Sequence, residues 1–88
     1  LVIDTKEKGK IDGDLVSFQN PVHDILAVKN NVDNAAVIKV VDFNGSVLYV
    51  EENVQNDFEI NVANWSSGIY YLIIDSISGV LVRKVNKI

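Results

Sequence analysis

The chain has no cysteine and no methionine, and its 88 residues include one proline, one histidine and one tryptophan. Without cysteine, disulfides cannot staple the fold, and neither a thiolate nucleophile nor a cysteine zinc site can exist. Basic residues are also scarce: eight lysines and arginines face twelve acids, for a net charge of −4. Nucleic acid is therefore excluded as the main partner, because phosphate binding needs a basic face. No apolar run approaches the roughly 20 residues that span a bilayer, so the chain is not expected to be membrane-spanning. It opens at Leu1 with neither an initiator methionine nor a basic-then-apolar signal peptide, and reads as a processed piece of a longer protein.

Helical periodicity is missing too. No window carries a sustained 3.6-residue apolar stripe, while period-two alternation recurs. The apolar share is 48%, enough for one core. Valine and isoleucine dominate it, and branching at Cβ favours strands. Residues 1–13 read as a linker or the end of a preceding domain, with Leu1-Val2-Ile3 apolar and Lys6 to Lys10 solvated. Residues 14–88 read as one domain.

Within it, Asp12-Gly13-Asp14 signals a turn before a strand from Leu15 to Phe18. Asn20-Pro21 interrupts, since proline lacks an N–H and belongs at a strand edge or kink. A strand from Asp24 to Lys29 follows, with Leu26 and Val28 on one side, and then an Asn/Asp loop over Asn30 to Asn34. Ala36 to Asp42 is the next strand. Asn44-Gly45 predicts a tight type I′ hairpin, returning through Val47 to Val50. Glu51 to Asn56 turns a corner. Phe58, Ile60 and Val62 alternate with polar residues, and Ile69 to Asp75 forms the most apolar strand. A second hairpin turn at Ser78-Gly79 leads into a closing strand from Val80 to Lys87. Seven strands with connections too short for helical crossovers predict an all-β, immunoglobulin-like antiparallel β-sandwich; the alternative is a small antiparallel β-barrel. No repeat or low-complexity segment is present.

Candidate chemistry is sparse. His23 would need a nucleophile and an orienting carboxylate, and Asp24, its neighbour, is expected to point to the opposite face. Asp12 and Asp14 offer two carboxylates where a calcium loop needs six to eight oxygens. Asp33 with Asn30, Asn31 and Asn34 offers a similarly thin set. No metal, cofactor or catalytic residue is therefore assigned, and the domain is not read as an enzyme. Asn44-Gly45-Ser46 and Asn64-Trp65-Ser66 match the glycosylation pattern, but their turn and corner positions account for them. Trp65 is expected to plug one end of the sandwich, with Tyr70 packed inward and its hydroxyl on a backbone partner; sugar stacking is the alternative. All twelve acids lie at or before Asp75, whereas Arg83, Lys84 and Lys87 crowd the final residues. That basic end is either a solvated edge or a docking handle.

Four segments carry a family resemblance. They are Phe18-Gln19-Asn20-Pro21-Val22 with Asp24-Ile25-Leu26; Ile38 to Gly45, a strand ending in Asp-x-x-Gly; Trp65-Ser66-Ser67-Gly68-Ile69-Tyr70-Tyr71-Leu72; and the basic ending Arg83-Lys84-Val85-Asn86-Lys87. In order and spacing they resemble the type A C-terminal sorting domain of the Bacteroidetes type IX (Por) secretion system. Gln19 stands where that family usually has a proline, Phe18 where tyrosine is frequent, and Ile88 where lysine is usual.

The resemblance implies a secretion signal. Such a domain directs the covalently linked cargo ahead of it from the periplasm through the outer-membrane translocon to the cell surface. The implied partners are type IX translocon and shuttle proteins and a surface sortase cutting in or before Lys6 to Lys10. Arg83, Lys84, Val85 and Lys87 are the candidate recognition residues. Asn20, Pro21, Asp42, Gly45, Gly68 and Tyr70 are motif positions with a mainly structural role. A non-catalytic carbohydrate-binding or adhesive accessory sandwich is the alternative function.

Overall fold

Alternating apolar positions must find a second layer to bury them, and the chain does this with two antiparallel sheets. A computed structural model describes residues 15–32, 35–54, 56–77 and 79–88. The predicted linker, the Asp12/Asp14 turn, Asp33 and Asn34 lie outside the described residues, as does Ser78. The described residues form β1 (Val16–Phe18), β2 (Ile25–Asn30), β3 (Ala35–Asp42), β4 (Val47–Glu52), β5 (Phe58–Asn61), β6 (Gly68–Ser76) and β7 (Gly79–Lys87). One sheet has the order β1-β2-β5, the other β4-β3-β6-β7, and every pairing of named strands is antiparallel. The sandwich expected from the alternation is the observed architecture.

The core lies between the sheets. Leu26, Val28, Ile60 and Val62 reach it from the three-stranded side; Ile38, Val40, Tyr70, Leu72, Ile74, Leu81 and Val85 reach it from the other. Full burial of each such aliphatic contributes about 1.5–3 kcal/mol relative to exposure. Tyr70, Leu72 and Ile74 share one parity, as their spacing predicts. Ile73, of opposite parity, is also buried, because Val41, Val80 and the half-buried Tyr71 gather around it on the sheet's outer face. That face is therefore more apolar than simple alternation implies.

Both hairpins differ in detail from the sequence expectation. Between β3 and β4, Asn44 keeps a negative φ, and Gly45 alone takes the left-handed region at φ 88°. The carboxylate of Asp42 accepts from the N–H groups of Asn44 and Ser46, each at 2.9 Å, and Gly45 N–H donates to Asp42 C=O at 3.0 Å. A side chain that holds its own turn in this way favours a type I turn closed by a glycine bulge over type I′. In the second hairpin Ser76 pairs with Gly79, so Gly79 belongs to β7 and not to the turn.

Asn30 ends β2 and is buried where a loop was expected to start. Its backbone N–H donates to Asp57 Oδ1 at 2.8 Å, and its Oδ1 accepts from Val32 N–H at 3.1 Å. The polar side chain thus replaces strand pairing for the residues that leave the sheet.

Candidate recognition surface

The antiparallel register gathers residues distant in sequence at one end of the four-stranded sheet. β3 finishes there, β6 starts there and β7 finishes there: Asp42 pairs with Tyr70, Tyr70 with Val85, and Gly68 with Lys87. Val22 joins the row through a parallel bridge to Lys87. The segments around Asn20-Pro21, Asp42 to Gly45, Trp65 to Tyr70 and Arg83 to Lys87 therefore meet at one end.

Each segment has a visible job there. The chain enters β6 through a corner, where Tyr70 donates its hydroxyl to Ser66 C=O at 2.6 Å. This is the tyrosine-corner arrangement of immunoglobulin-type sandwiches. Trp65 lies against Tyr70, ring centroids 5.1 Å apart and tilted by 43°, and packs on the core, as the sequence suggested. Gly68 has φ 152°, and no atom lies within 4 Å of where a Cβ would stand. The glycine is needed for its backbone angle, since open space surrounds it. Between this corner and the Asp42–Asn44 turn lies an open cleft of about 460 Å³, with Phe43 and Leu48 on its wall.

The Asn-Pro segment seals an edge. Asn20 Nδ2 donates to Lys84 C=O at 3.1 Å, and its Oδ1 accepts from Asn86 N–H at 2.8 Å. Val22 N–H donates to Asn86 C=O at 2.8 Å, and Ile88 N–H donates to Val22 C=O at 3.0 Å. The carboxamide and one residue of backbone do for β7 what a neighbouring strand would do. Pro21, joined to Asn20 by a cis peptide bond, stands exposed between them and needs no N–H partner.

The basic ending consequently points several ways. Arg83 is half-buried, its guanidinium 5.3 Å from the Phe18 ring centre, with one amino group donating to Val16 C=O at 2.8 Å. Lys87 is 7% exposed, and its Nζ donates to Ile88 C=O at 2.7 Å. Val85 is core. Lys84 is the candidate recognition residue whose side chain stands in water. A uniformly solvated basic edge is not what forms, because the β1 and Asn20–Val22 segments fold over it.

His23 and Asp24, expected to diverge, instead meet at 2.8 Å (Nδ1 to Oδ1) on the surface. They precede β2 in a bend, where strand alternation does not apply. Among the described residues no group of three or more His, Cys, Asp or Glu side chains is placed to hold a metal ion. Among the described residues one ionisation departs clearly from its ordinary value. Tyr49 is pushed up to about 12, first by its hydrogen bond to Glu51, then by partial burial and the Glu51 charge.

Fold and surface together define a small immunoglobulin-like sandwich whose distinctive residues shape turns, a tyrosine corner and a sealed edge. The family described as "Secretion system C-terminal sorting domain" matches residues 18–87. The chain belongs to that family, whose domains are C-terminal sorting signals for type IX secretion and imply export to the cell surface or extracellular space. No curated protein matches the chain. Among solved structures, that of the CBM51-2 and INT domains from Clostridium perfringens ZmpB is similar, with a TM-score of 0.62 and 25% identity. The likeness covers 76% of this chain and 17% of that one. Among the described residues no helix is long and apolar enough to cross a membrane.

Proposed function

We propose that this domain carries a covalently attached cargo across the outer membrane by the type IX route, as a folded signal rather than a catalyst. The observation that carries the reading is the family match over residues 18–87. The convergence of the motif segments at one end of the sheet supports it, because separated motifs become a single readable surface only after folding. Translocon and shuttle proteins are the readers, a surface sortase processes the chain upstream of the sandwich, and the product stays associated with the outer membrane. Of the candidate residues in the terminal strand, Lys84 is the one presented to a reader, while Arg83, Val85 and Lys87 hold the surface in shape.

The test is a reporter fused ahead of residues 1–88 and expressed in a bacterium with a working type IX system. Export to the surface, abolished when that system is inactivated, is the expected result. Retention of the folded fusion in the periplasm contradicts the proposal. Lys84→Glu is a better probe of the basic end than truncation, since removing Val85 also opens the core.

A further inference from the structure

The two edges of the four-stranded sheet are treated differently. β7 is covered by Asn20 and Val22, whereas among the described residues nothing bonds to the far side of β4, Val47–Glu52. β4 is also hardly buried: Val47 is 53%, Leu48 47% and Val50 50% exposed. Apolar side chains on both faces of an open edge are a template for pairing with another chain. Proteins usually blunt such edges with lysine, proline, a β-bulge or a covering segment. Val47-Leu48-Tyr49-Val50-Glu51-Glu52 contains neither lysine nor proline, and its bulge falls at Leu48 near the hairpin, leaving Tyr49 to Glu52 in regular register with Val40 to Val37. Its charges are the two glutamates at its end, both exposed, and among the described residues no cation contacts either of them.

We infer that β4 is a docking edge for an extended segment of a partner protein, which adds as a further strand beyond Val47–Glu52. Main-chain hydrogen bonds along the edge supply affinity, and alternate side chains supply specificity. The segment that fits has aliphatic side chains over Val47, Leu48 and Val50 and a lysine or arginine opposite Glu51 and Glu52. A second copy of the chain fits less well, because it brings the same two glutamates and another net charge of −4. The inference rests on the sorting-domain reading, and gives the export machinery a specific edge to hold.

The test uses the reporter fusion with three variants. Val50→Lys places a charge on the edge; the double variant Glu51→Lys with Glu52→Lys reverses its charge; Ala27→Lys makes the same kind of change on the exposed face of the other sheet. Unfolding midpoints of the purified chains establish that each folds. Export is expected to fall about tenfold or more with Val50→Lys and severalfold with the double reversal, while Ala27→Lys tracks the parent. Parent-level export of a folded Val50→Lys fusion overturns the docking edge and leaves the sorting reading standing. Failure of the parent fusion to be exported sinks the sorting reading itself, and this inference with it. A purified parent chain that dimerises, and becomes monomeric on Val50→Lys, assigns the edge to a second copy and overturns the partner segment.

Discussion

β7 and β4 bound the same sheet, yet one is finished and the other is left open. β7 sends Leu81 and Val85 into the core and has its outer edge bonded by Asn20 and Val22. β4 is anchored through the half-buried Tyr49 and the pairing with β3, and leaves three aliphatic side chains about half in water. The contrast shows that edge protection is not a general property of this sandwich. β7 is sealed along its outer edge by Asn20 and Val22, whereas β4 has a bulge at Leu48 and, among the described residues, no covering segment.

The largest expected effect separates the strands by their stake in the fold. Leu81→Ala should cost about 2–5 kcal/mol in urea unfolding, as for a buried leucine. Val50→Ala should stay within about 0.5 kcal/mol, as for an exposed position. Similar losses for both would erase the comparison. Next comes the seal. Asn20→Ala removes two hydrogen bonds of about 0.5–1.5 kcal/mol each. Because they lie near solvent, the expected loss is about 1 kcal/mol, without change in the native spectrum. An unchanged unfolding midpoint would mean that the edge is held by Val22 alone.

A smaller effect belongs to β4. Tyr49, raised from 10.0 to about 12, is held protonated more tightly in the fold than in the unfolded chain. Its contribution to stability is therefore complete below pH 10 and is lost as pH rises through about 12. In Glu51→Ala the main cause of the shift disappears, so the Tyr49 ring signals in an alkaline NMR titration should move at lower pH. Titration unchanged from the parent would place the cause elsewhere than Glu51.

Most of the strand order was legible because each strand has its own local signal. Leu26 and Val28, Ile38 and Val40, and Phe58, Ile60 and Val62 mark buried faces by alternation alone. The role of Tyr70 was legible for the same reason, since a tyrosine just after a corner needs a nearby acceptor and Ser66 supplies it. What escaped depends on long-range partners or on competition between close ones. Asn20 meets Lys84 and Asn86 across more than sixty residues, and nothing near it foretells that its amide will imitate a strand. Asn44-Gly45 has the composition of a type I′ turn, but the Asp42 carboxylate two residues earlier selects another geometry. The basic ending read as either a solvated edge or a docking handle, and nothing beside it in sequence shows that Phe18 and Val16, far back in the chain, draw Arg83 inward. β4 looked like an ordinary hairpin return. Only the sheet order shows that it lies at an open edge.

Amide hydrogen exchange on the isolated chain tests this asymmetry most directly. The N–H groups of Val22, Asn86 and Ile88, which seal β7, should exchange slowly. The N–H groups of β4 that face away from β3 should exchange nearly as fast as those of an unfolded peptide. Fast exchange at Asn86 and Val22, or slow exchange along the outer side of β4, would contradict the account.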